Sequence, residues 1–92
     1  MTYYCIKNVN ETRTLKSGLG VIETIIFNTR GAAGSKLDLY DDTDADDSNL
    51  VASFDIENVD NLIQYFPHGL EFERGLTYVT SGDPGNITIT YR

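Results

Sequence analysis

The side chains best suited to chemistry crowd into one run, LYDDTDADDSNL at residues 39–50, which carries aspartates at 41, 42, 44, 46 and 47. Carboxylates at that density suit a hard divalent cation, and Asp42, Asp44 and Asp46 reproduce the first three ligand positions of an EF-hand calcium loop. The rest of such a loop does not follow. The glycine of its sixth position is Asp47 here, and the bidentate glutamate of its twelfth is Ser53. Starting the frame at Asp44 places Asn49 at the turn and Asp55 at the end, but residues 51–55 alternate like a strand where a helix should open. An EF-hand is excluded. A looser calcium site from Asp41, Asp42, Asp44, Asp46 and Asp47 competes with a solvated hairpin tip. Two exposed charges about 6 Å apart in water repel by only ~0.7 kcal/mol, so the loop needs no metal to exist. The hydrated tip is the expectation.

Other reactive side chains form no constellation. His68 is the only histidine, and it lies between Pro67 and Gly69, where the chain should turn. A nucleophile–base–orienter triad would have to use it, yet no serine has a sharp-turn nucleophile context. Glu71 and Glu73 share a strand face and could pair as carboxylates, but on an acidic polar face they read as solvated. Cys5 is the only cysteine, which rules out an internal disulfide, and with no cationic neighbour it reads as a small buried hydrophobe. The glycines at 18–20 and 31–34 precede strands rather than helices, so no phosphate cradle is formed. No catalytic set, cofactor or resident metal is expected. The six tyrosines are the remaining signal, since tyrosine joins a large contact area to a hydroxyl for the rim and suits interfaces and sugar platforms.

The elements that must position these residues follow a period of two. Leu37 and Leu39 oppose Lys36, Asp38 and Tyr40. Leu50, Ala52, Phe54 and Ile56 oppose Val51, Ser53, Asp55 and Glu57, and Ile87, Ile89 and Tyr91 oppose Thr88 and Thr90. Such alternation describes antiparallel strands with one wet face. Residues 19–27, apolar on both sides except around Glu23 and Thr24, read as a more central strand or one at an interface. TYYCI near the start, HGLEF at 68–72 and LTYVT at 76–80 supply further strands, and Pro84-Gly85 fits a type II turn. In residues 58–66, Val59, Leu62, Ile63 and Phe66 fit either a short helix capped by Asn58 and stopped by Pro67, or an irregular strand. Ninety-two residues make one domain. The expectation is a single all-β antiparallel β-sandwich of seven or eight strands, jelly-roll-like or immunoglobulin-like, with residues 1–9 as an N-terminal arm.

A net charge of −7 with scattered basic residues opposes binding to nucleic acid or to an anionic membrane. The start of the chain lacks a basic segment followed by a long apolar run, so assembly in the cytoplasm is expected.

Two segments, SKLDLYDDTDADDSNLVASFD and PHGLEFERGLTYVTSGDPGNITITYR, resemble small all-β structural proteins of tailed bacteriophage virions. The likeness lies in an L-x-L-Y-D strand, a polar loop, a V-A-x-F-D strand, a G-L segment and an I-T-I-T-Y-R ending, and it extends over residues 19–92. It implies a structural role in the virion, as a head decoration or cement protein, a head-fibre base or a tail component; the expectation taken from it is a decoration or cement protein, assembled in the host cytoplasm and bound to the major capsid protein or other virion proteins on the outer surface. It also implies a homotrimer, with no catalytic residues. Interface residues are expected among Tyr3, Tyr4, Ile6, Ile22, Ile26 and Tyr40. The competing expectation is a carbohydrate- or cell-surface-binding module that uses the tyrosines and the acidic loop, with or without calcium.

Overall fold

The computed structural model describes residues 2–92, which form eight strands. These are β1 (Thr2–Lys7), β2 (Thr12–Ser17), β3 (Gly20–Phe27), β4 (Lys36–Tyr40), β5 (Leu50–Asp55), β6 (Ile63–Phe72), β7 (Gly75–Ser81) and β8 (Asn86–Tyr91). A 3₁₀ turn at Asp47–Asn49 is the one helical element among the described residues. The strands pair as one long hairpin folded over on itself: β1 with β8, β2 with β7, β3 with β6 and β4 with β5, all antiparallel. Two further pairings, β3 with β8 and β4 with β7, gather them into four-stranded sheets of order β1-β8-β3-β6 and β2-β7-β4-β5. This is the connectivity of an eight-stranded jelly roll, the first of the two topologies anticipated.

The two-residue rhythm places the core as expected. Ile6, Ile25, Phe27, Ile87 and Ile89 of the first sheet meet Leu37, Leu39, Leu76 and Tyr78 of the second, and every one of them is buried. Each such aliphatic side chain contributes about 1.5–3 kcal/mol by leaving water. Phe27 and Phe54 cross between the sheets with ring centroids 5.7 Å apart. Ile56 and Val59, just beyond β5, add to the same core.

Departures from strict alternation occur at register shifts. In β3, Ile22 pairs with Leu70 and Thr24 with Tyr65, so Glu23 alone faces Phe66, Pro67, His68 and Gly69. The shift lets Ile22 and Ile25, three residues apart, both reach the core. Pro67 therefore lies inside a strand irregularity and does not end a helix. Residues 58–62 are bends and coil, and β6 begins where the Asn61 side chain accepts from Ile63 N at 3.1 Å. Gly69 has φ 78°, and a Cβ there would stand 2.1 Å from Val21 Cγ1, so the bulge requires glycine. A second shift between Leu39 and Tyr40 pairs Leu50 with Tyr40 and leaves Leu50 45% exposed, off the core face expected for it. Residues 2–7 are an edge strand of the chain's own first sheet.

Candidate interaction surface

The outer face of the first sheet is built from rows of cross-strand partners. One row runs Tyr3, Thr90, Thr24, Tyr65, and the next runs Cys5, Thr88, Ile26, Ile63, each in the order β1, β8, β3, β6. These positions point outward because their neighbours Ile6, Ile25, Ile87 and Ile89 point inward. In a chain with 23% charged residues, the two rows carry no charge at all. Tyr3 and Tyr65 are 69% and 67% exposed at opposite edges, and Ile63 is 53% exposed. Between them the threonines are held in place. Thr90 Oγ1 donates to Thr24 O at 3.4 Å, and Thr88 Oγ1 accepts from Asn28 Nδ2 at 3.0 Å.

Charge returns only at the rim. At one end Arg92 Nε lies 2.9 Å from Glu23 Oε1, with Arg92 beside β3 through paired backbone bonds to Val21. At the other end Lys7 pairs with Asn86, whose carbonyl accepts from Asn28 N at 2.9 Å, while Asn61 and Asp60 stand just before β6. An uncharged patch that carries exposed tyrosines and is bounded at both strand ends by charged and polar residues has the composition that protein contact surfaces select.

The acidic loop is a different kind of structure. Asp41 Oδ1 accepts from three backbone amides of the β6–β7 turn: Glu73 at 2.9 Å, Arg74 at 2.8 Å and Gly75 at 3.4 Å. Partial burial pushes its carboxyl up, but these donors and the Arg74 charge outweigh that and hold it below the ordinary carboxylate value. Asp42 accepts from Thr43 N and from Asn49 Nδ2, and its carbonyl accepts from Thr77 Oγ1 at 2.7 Å. Asp46 accepts from Ser48 N at the start of the 3₁₀ turn. Asp42, Asp44 and Asp46 are thus not brought onto one point, and among the described residues no three His, Cys, Asp or Glu side chains form a metal-sized group. The loop is hydrogen-bonded to its neighbour rather than simply hydrated.

Of the residues expected at an interface, Tyr3 and Ile26 stand on the uncharged face. Ile6 and Ile22 are core residues with no free surface. Tyr4 packs half-buried against the core, its ring 6.1 Å from that of Tyr78 and 5.2 Å beneath the Arg13 guanidinium. Tyr40 is buried next to Thr77, the residue that binds the acidic loop, so its ring is already covered. Burial, with Asp38 and Asp47 nearby, raises its hydroxyl. Cys5 is exposed on the outer face, its Sγ 3.5 Å from Thr88 Oγ1, which corrects the expectation of a buried thiol. Its chain neighbour Ile6 takes the core side instead. His68 is exposed and, with Tyr65, Phe66, Glu23 and Arg92, lines a shallow hollow of about 230 Å³.

Comparison of the chain with protein-family models, curated proteins and solved structures gave no match. The face itself was only half visible beforehand. Alternation put Thr88 and Thr90 outward, but Ile63 and Tyr65 sat in the segment whose helix or strand character stayed open. Their place in the rows needed the register.

Proposed function

We propose that this chain is a non-enzymatic structural protein of a virion, a capsid decoration or cement protein that binds the outer shell. Its copies associate through the uncharged face of the first sheet, and its polar loops meet the major capsid protein and clamp neighbouring subunits. The observation that carries this reading is that face: eight outward residues on four hydrogen-bonded strands, without a charge, in a strongly acidic chain. A net charge of −7 suits the outside of a DNA-filled shell and would be repelled by phosphate within it. The resemblance over residues 19–92 points the same way, and jelly rolls recur in capsid proteins. Fold alone does not assign function, so the test is direct binding. The purified chain should co-sediment with assembled capsids and raise the temperature at which they open. Capsids that pellet without it would refute the reading.

A second reading is favoured by Tyr3 and Tyr65 flanking the hydroxyls of Thr90 and Thr24, with that of Thr88 in the next row, an arrangement that also suits a neutral glycan. A glycan array that retains the native chain but not a Tyr65→Ala variant would support it.

A further inference from the structure

We infer that the uncharged face of the first sheet is where two copies of this chain pair, about a two-fold axis parallel to the strands. This rests on reading that face as a contact surface; it does not depend on the shell.

The rows are their own complements. A two-fold axis parallel to the strands and lying between β8 and β3 sets β1 of one copy over β6 of the other, and β8 over β3, with each row meeting itself reversed. The row Tyr3, Thr90, Thr24, Tyr65 then places tyrosine on tyrosine at both edges and threonine on threonine at the centre. In the next row Cys5 meets Ile63 and Thr88 meets Ile26, apolar on apolar or on a threonine methyl.

The rim follows the same rule. Arg92, at the end of β8, lies over Glu23 of β3 in the other copy, and Glu23 over its Arg92, so each internal ion pair becomes part of a four-charge alternation. At the opposite end Lys7 of each copy lies over Asn61 and beside Asp60. A copy carrying charge −7 repels another at long range, and this is the face where no acidic side chain meets an acidic one.

The size is adequate. The molecule measures 32 × 26 × 19 Å, and the four strands of the first sheet, six to ten residues long, with their outward side chains make one of its faces. A standard specific interface buries roughly 800 Å² per partner, which such a face can supply when most of it is covered. The copy number this arrangement supports is two, not the three that the family likeness implied.

A cross-linking experiment tests the pairing by its geometry. Within one copy, Cys5 and position 63 stand at opposite edges of a four-stranded sheet, about 14 Å apart. Across the proposed pair they face each other, with side chains directed into a gap of roughly 10 Å between backbones. A short bis-maleimide, too short to cross a sheet, should therefore convert the Ile63→Cys variant to covalent dimers. Sedimentation velocity should find the native chain dimeric and an Ile26→Lys variant monomeric with its strand circular dichroism intact, since that lysine stands near the axis. A native monomer or trimer, a dimer that survives Ile26→Lys, or an Ile63→Cys variant left uncross-linked would each overturn the inference. Failure of shell binding with the pair intact would count only against the capsid reading.

Discussion

Replacing Asp41 with alanine removes the one acceptor shared by the amides of Glu73, Arg74 and Gly75. Hydrogen bonds to a charged group are worth about 1.5–3 kcal/mol, and amides in a surface turn recover part of that from water, so a loss of about 2 kcal/mol is expected. For a domain of this size that lowers Tm by roughly 8–16 °C. Asparagine keeps an acceptor oxygen without the charge, so Asp41→Asn should cost about half as much. The pH dependence has a definite sign. The folded carboxyl is held below its ordinary value of 3.8, so its stabilisation is complete above that value and is lost as pH falls through the folded one. Thermal unfolding followed by circular dichroism should show a constant gap between native chain and Asp41→Asn near neutrality, closing on acidification. Asp44→Ala, which removes a side chain without a hydrogen-bond partner among the described residues, should change Tm little. If Asp41→Ala melts with the native chain, or Asp44→Ala costs as much, the assignment of Asp41 as the anchor of the β6–β7 turn is refuted.

Other expectations are simpler. Thr80 is buried, donates to Val9 O at 2.6 Å and accepts from Glu11 N at 3.0 Å, so Thr80→Val should cost about 1–3 kcal/mol in urea unfolding by leaving both unpaired. Gly69→Ala must hold a side chain at φ 78° against Val21 and should lose about 1–3 kcal/mol, read as a lower Tm. Burial and the hydrogen bond to Glu11 push the Tyr78 hydroxyl far up, and burial raises that of Tyr40. Their raised values stabilise the fold below the ordinary tyrosine value of 10.0, and that contribution is lost as pH rises further. Alkaline absorbance titration should show phenols that ionise only as strand structure is lost, fewer of them in Tyr78→Phe.

The fold was legible where one face is plainly apolar. Leu37 and Leu39, or Ile87 and Ile89, declare their strands because burial on one side demands a period of two. β2 was not legible: in TRTLKS only Leu15 is apolar, and an edge strand half in water needs little more. β6 was obscured because Pro67 and Gly69 read as punctuation, whereas they occupy a bulge that the opposing strand accommodates. The site needed information that no local pattern carries. Rows across a sheet depend on register between strands distant in sequence, Tyr3 with Thr90 and Thr24 with Tyr65. The bulge at Glu23 decides which residues of β3 face outward. Asp41 looked like four other aspartates until its partners, thirty-two to thirty-four residues away, were in place.

The central claim is that this chain works through one uncharged sheet face that holds a second copy. Small-angle X-ray scattering of the purified chain tests it most directly. A single copy has a radius of gyration of 12.0 Å, and two copies stacked face to face, with sheets about 10 Å apart and centres therefore about 20 Å apart, would reach about 15–16 Å. The paired value, falling back to the single one in Ile26→Lys, is the expected result. A radius near that of one copy at every concentration would contradict the claim.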